Sequence, residues 1–198
     1  MSITSLATAA SVWVALTSTI ILTSRNWRVS VSAIGVQFLG VFLLISLSWP
    51  IEYAIIKLVA GWIAAAVLGM GLVDQTESWD DELGSWISGT LFRVFLAGFI
   101  IFMAFVLTPT VTRLVLRAST LQVFGALTLI GLGLVHLGLT AQPTRIILGL
   151  LTVLSGFEVV YATMETSLLV NALLAVNTLG LALIGAYLNA AARGGEQT

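Results

Sequence analysis

The sequence predicts an all-α, polytopic membrane protein of about seven transmembrane helices. Three observations carry that expectation. Of 198 residues, 59% are hydrophobic and only 9% charged, with a mean hydropathy of +1.09. A soluble domain of this length needs far more polar surface to stay dispersed. Several apolar runs approach the roughly 20 residues that a helix needs to cross a bilayer. Those runs are continuously apolar rather than alternating, which argues against a transmembrane barrel.

Seven spans fit, at 6–24, 29–49, 51–73, 89–109, 119–140, 146–165 and 170–190. The first has no positive residue before it, and its small-residue Ala-Thr-Ala-Ala stretch precedes the apolar run, the reverse of a cleaved signal peptide. Ser24-Arg25-Asn26-Trp27-Arg28 separates spans one and two. Ser48-Trp49-Pro50 separates two and three, with Pro50 suited to the first turn of a helix. The one substantial loop follows span three and holds Asp74, Glu77, Asp80, Asp81 and Glu82. Thr108-Pro109-Thr110 is expected to end span four, with Arg113 and Arg117 on a short amphipathic segment beyond it. Gln142-Pro143-Thr144-Arg145 joins five and six, and a turn around Glu165-Thr166-Ser167 joins six and seven. The tryptophans, several at span ends, read as interfacial anchors.

Lys and Arg near span ends set orientation, while acidic residues contribute little. Placing the Arg25/Arg28 turn in the cytoplasm also puts Arg93, Arg145 and Arg193 inside and leaves Arg113 and Arg117 outside. The N-terminus is then outside and the C-terminus inside, in what reads as a prokaryotic cytoplasmic membrane.

The same composition excludes several functions. Cysteine is absent and there is one histidine, so thiolate metal sites, disulfides and iron–sulfur ligation are ruled out within this chain. No cofactor, metal site, nucleophile–base arrangement or phosphate loop is legible, and catalysis by this chain alone is not expected. A net charge of -1 with no basic patch gives no basis for nucleic-acid binding.

What remains is a small set of polar residues inside apolar spans. Glu158 in span six and Asn177 in span seven both lie roughly 20 Å from the helix ends near Arg145 and Ala190, at ~1.5 Å per residue. Such a pair is costly unless its members face each other, water or a partner. Glu158 reads either as a carboxylate that takes and releases a proton or as a static hydrogen-bond partner of a neighbouring subunit. Glu165, seven residues on, shares its helical face and reads as a relay residue or, more readily since it stands beside a turn, as simply exposed. Lys57 is the only lysine, and it sits inside span three. It is expected either to pair with a carboxylate, from Glu52 or a partner chain, or to snorkel to the interface. Gln37 and Asn177 suit helix–helix adhesion more than chemistry. His136 reads as a hydrogen-bonded packing residue or, less readily, a proton relay. Gly61 with Ala65, and Gly180 with Gly185, permit close helix approach.

The first and last three spans resemble each other. Gly35-Val36-Gln37 follows the Arg25 turn as Gly156-Phe157-Glu158 follows the Arg145 turn, and each is succeeded by a short turn and a third span. This divides the chain into a three-helix unit at 1–73, an acidic loop, linker helix and amphipathic segment at 74–118, and a second three-helix unit at 119–198. A single linker helix makes the two units parallel.

The stretch 145–188 resembles NuoK, a small three-helix membrane subunit of NADH-quinone oxidoreductase. Gly156-Phe157-Glu158 stands for that family's Gly-Leu-Glu, and Asn177-Thr178-Leu179-Gly180-Leu181-Ala182-Leu183 for its glutamate-containing third helix. A similar small subunit occurs in Mrp-type cation antiporters and in membrane-bound hydrogenases. The hydrogenase component E proteins are nearer in length and carry an early lysine much as Lys57 stands here. The resemblance implies a subunit beside an antiporter-like partner in a larger membrane complex, contributing to proton or sodium translocation. It gives Glu158 the place of an ion-pathway glutamate, with Lys57, Asn177 and Gln37 as accessory positions. Asn177 and Gln37 stand where the pattern has carboxylates, and neither amide carries a proton as an acid does. The reading from a different class is a non-translocating subunit that anchors or seals a complex.

Overall fold

The computed structural model describes residues 3–73, 89–115 and 118–195. They form α1 (Ile3–Thr23), α2 (Trp27–Ile45), α3 (Ile51–Leu72), α4 (Thr90–Leu114), α5 (Thr120–Gly138), α6 (Pro143–Met164) and α7 (Leu168–Gly195). Each is long and apolar enough to cross a membrane, and no strand occurs among the described residues. The acidic residues Asp74, Glu77, Asp80, Asp81 and Glu82, together with Arg117 and the Arg193 side chain, lie outside what is described.

Local sequence sets the helix ends. Asn26 caps α2 by accepting from the Arg28 amide at 2.9 Å. Pro50 stands at the N-cap of α3, one position before the first turn, and Pro143 opens α6. A capping box starts α5: the Ser119 hydroxyl accepts from the Gln122 amide, and Gln122 Oε1 accepts from the Ser119 amide. Serine followed three residues later by glutamine is a legible signal for such a box.

Pro109 does not end the fourth span. The α4 helix runs through it to Leu114 and carries Arg113 in its last turn. In a bilayer the helix is the way to satisfy the backbone internally, so a proline near a helix end is tolerated where flanking groups compensate. Thr108 and Thr112 donate back to the carbonyls of Ala104 and Thr108, at 2.7 and 2.8 Å.

The helices pack as two rows. In one row α2 lies between α1 and α3, and in the other α6 lies between α5 and α7. Across the rows α1 packs on α5, α2 on α6 and α3 on α7, while α4 lies outside against α5 and α1. The result is two four-helix rings sharing the α2–α6 edge: α1–α2–α6–α5 and α2–α3–α7–α6. The closest seam is α5–α6, where glycine is required. A Cβ on Gly156 would meet the Ala126 carbonyl oxygen at 2.8 Å, and one on Gly133 the Val153 nitrogen at 2.8 Å. Gly61 admits the Phe38 ring between α2 and α3.

Because the helices alternate in direction, Arg25, Arg28, Arg93 and Arg145 share one end of the bundle, called here the Arg25 end. The opposite, Glu165 end carries Pro50, Arg113 and Glu165. Two tryptophans depart from the interfacial expectation. Trp13 and Trp62 lie mid-helix, and their indoles donate to the carbonyls of Val36 and Gly35 at 3.0 and 3.2 Å.

Candidate functional site: a buried ion pair between α3 and α6

Lys57 and Glu158 meet inside the α2–α3–α7–α6 ring. Lys57 occupies the face of α3 that also buries Ala54, Ala60, Gly61, Ala64 and Leu68. Small residues at helical spacing bring neighbouring backbones close, and the one long side chain on that face must then point inward. Glu158 occupies the face of α6 that buries Leu151, Ser155, Val159 and Ala162. The Lys57 ammonium donates to Glu158 Oε1, forming a salt bridge in which both side chains are 2% exposed.

The pair crosses the ring diagonally. The α3 and α6 backbones scarcely approach each other, and each packs instead on α2 and α7. Lys57 follows Ile51 by six residues and Glu158 precedes Met164 by six. At ~1.5 Å per residue the pair lies about 9 Å inside the Glu165 end. The site is therefore off centre, and its depth agrees with the roughly 20 Å counted from Arg145.

Two details decide what the pair can do. Glu158 Oε2 makes no hydrogen bond among the described residues. Thr178 on α7 also faces the carboxyl group, but its hydroxyl donates to the Leu174 carbonyl at 3.0 Å. One carboxylate oxygen is thus engaged by a cation, and the other makes no well-formed hydrogen bond, with only the Thr178 hydroxyl beside it. Buried charges normally need every lone pair satisfied to offset desolvation, so the unpartnered oxygen is the atom at which a proton would bind.

The remaining candidate residues fall elsewhere. Asn177 is exposed on α7 and does not meet Glu158. The inward face of α7 runs through Asn171, Ala175, Thr178, Ala182, Gly185 and Asn189, so the threonine rather than the asparagine turns toward the carboxylate. That spacing was the signal for Thr178. Glu52 is exposed, and Lys57 neither pairs with it nor snorkels. Gln37 is fully buried at the shared edge of the two rings, where Oε1 accepts from Ser18 at 3.0 Å and Nε2 donates to Thr152 at 3.5 Å. It acts as adhesive between α1, α2 and α6. Glu165 caps α6 in extended conformation, exposed, with its carbonyl accepting from the Trp49 indole at 2.9 Å.

His136 is buried near the Arg25 end and packs beside Gly149. Neither ring nitrogen makes a well-formed hydrogen bond among the described residues, and the Arg145 backbone comes nearest to offering one. Arg93 and Arg145, each at most 2% exposed, lie within electrostatic reach of it. The histidine is therefore a packing residue far along the bundle from the ion pair, without the firm hydrogen bond expected of it. Arg93 donates to the Leu22 carbonyl at 3.1 Å and ties α4 to α1. Gln122 joins α5 to α2 through the Leu44 carbonyl and the Ser48 hydroxyl, both at 2.8 Å. Among the described residues no cluster of three or more His, Asp or Glu side chains could hold a metal ion.

Comparison with protein-family models, with curated proteins and with solved structures finds no match for this chain.

Proposed function

We propose that the chain is a membrane subunit of a multisubunit ion-translocating complex, of the kind to which complex I, Mrp antiporters and membrane-bound hydrogenases belong. In this reading it packs beside an antiporter-like subunit, catalyses nothing itself, and contributes the Lys57–Glu158 pair to a lateral path for protons or sodium. The observation that carries the proposal is that pair, buried across the ring with one carboxylate oxygen unpartnered. Ionisable residues inside membrane spans are expensive, and their default reading is functional. The kinship with NuoK-like subunits rests on the short motifs around Glu158 and Asn177.

The geometry supports a simple relay. Protonating Glu158 removes the charge that balances Lys57, and in a low dielectric an uncompensated ammonium is costly. Lys57 then releases a proton or turns to another carboxylate, and a charge change on α6 is passed to α3. Taking the Arg25 end as cytoplasmic follows from its basic residues, and it puts the pair nearer the outer face.

A static reading draws on the diagonal geometry. Since α3 and α6 scarcely touch, the pair is also a clamp across the ring. The two readings separate in a complex extracted in mild detergent, with partners identified by mass spectrometry, and reconstituted for ion-flux measurement. The relay predicts an antiporter-like partner and loss of flux in Glu158→Gln. Full flux in an assembled Glu158→Gln complex would leave only the clamp.

A further inference from the structure

The outer face of α7 presents an amide to the bilayer. Asn177 is exposed, and its side chain makes no hydrogen bond among the described residues. It follows Leu168 by nine residues, which places it about 14 Å inside the Glu165 end, at hydrocarbon depth. Lipid tails offer an amide neither donor nor acceptor, so the group is costly there until another polar side chain reaches it. Thr178, the next residue, turns to the opposite side, toward Glu158.

The neighbours of Asn177 form a seam. Leu173, Asn177, Gly180, Ile184 and Tyr187 succeed one another at steps of four, three, four and three residues, the heptad spacing by which one helix packs along another. Leu173, Ile184 and Tyr187 are 55%, 52% and 71% exposed. A Cβ on Gly180 would meet nothing within 4 Å among the described residues, so this glycine serves no packing inside the bundle and leaves room for a helix outside it. Gly185, by contrast, packs inward against Leu68 and Ile147.

A single asparagine in a heptad seam fixes register and oligomer state. Its amide both donates and accepts, so it can pair with a copy of itself. Two copies of one membrane chain insert the same way up. A two-fold axis along the bilayer normal then sets their α7 helices parallel, with Asn177 at equal depth in both. We propose that the outer face of α7 is a homodimer seam, in which Asn177 hydrogen-bonds to the same residue of a second copy and Gly180 lets the two helices approach. The α2–α3–α7–α6 rings of the two copies stand back to back across it. The seam does not depend on whether the ion pair is a relay.

The chain contains no cysteine, so introduced thiols report without background. Leu173→Cys, with Ile184→Cys as the second position should the first fail to fold, is oxidised in the full chain in lipid vesicles. Ala172→Cys on α7 and Phe102→Cys on α4 are exposed controls off the seam. Disulfide-linked dimers are expected at the seam positions and not at the controls. Energy transfer between two differently labelled batches of the chain, diluted in lipid, reads the affinity. Asn177→Leu should weaken the dimer about tenfold, the scale of one or two interhelical hydrogen bonds in a membrane, and Asn177→Gln should keep most of it. A chain that stays monomeric at every dilution, equal cross-linking at seam and control positions, or a full-strength Asn177→Leu dimer would overturn the seam. So would a different polypeptide found covering Leu173 and Ile184 in the intact complex.

Discussion

The two four-helix rings share the α2–α6 edge, and each holds a polar side chain that bridges helices, yet they solve the burial problem differently. Gln37, between α1, α2 and α6, is neutral and has a partner at each end of its amide. Lys57 and Glu158, between α3 and α6, are charged and leave one carboxylate oxygen without a hydrogen bond. A satisfied amide fixes helices in place and has no reason to change state. A charged pair with an oxygen left unsatisfied can change state by gaining or losing one proton, which alters the attraction between its members. On the proposed reading, the difference puts the chemistry in the second ring and the adhesive in the first.

The largest expected effect comes from breaking the charged pair on one side. Lys57→Met strands a buried carboxylate, and a loss of about 3–5 kcal/mol in unfolding free energy is expected if Glu158 stays ionised. Glu158→Gln carries a similar cost unless Lys57 sheds its proton. Detergent-resistant melting of the two variants and of Lys57→Met/Glu158→Met measures this, and the double variant should recover most of the loss.

A smaller effect is expected where the rings depend on close backbones. Gly156→Val puts a Cβ 2.8 Å from the Ala126 carbonyl oxygen and 2.9 Å from the Ile130 nitrogen, and overpacking of this kind costs about 1–3 kcal/mol, occasionally more. The same melting series reads it, and Gly180→Val, which meets open space, is the matched control.

The neutral ring should respond more mildly. Gln37→Met removes two hydrogen bonds of the kind that average about 0.6 kcal/mol inside membranes, and ion flux should be unchanged. A flux loss as large as that of Glu158→Gln would erase the distinction between the rings. The smallest effect is expected at Asn177→Leu, because the residue is exposed. Replacing an exposed mid-span amide with an apolar side chain breaks no hydrogen bond described in this chain and suits lipid, so no loss of stability within the chain is expected, and a loss confined to the assembled complex would place a partner chain on that face of α7.

The fold class was legible because lipid leaves few alternatives: long apolar runs must be helices, and charged turns mark their ends. Pro109 misled because a proline stops helices in water more reliably than in a bilayer. Glu158 and Lys57 stood out individually, since charge in an apolar run needs no structure to be noticed. Their partnership did not, because it joins residues 57 and 158 across helices that hardly pack on each other. Asn177 drew attention by its chemistry, whereas helical spacing on α7 turned Thr178 inward. The Ser119–Gln122 capping box was visible in the chain, while the burial of Arg93 and Arg145 depends on packing that spacing alone does not reveal.

The most direct test of the central claim is ion flux through the reconstituted complex carrying Lys57→Met together with Glu158→Met. That variant removes the charges without stranding either one, so stability and assembly should approach those of the unmodified protein. A relay predicts assembled complexes with flux abolished. Assembled complexes with full flux would show that the pair only holds α3 and α6 together.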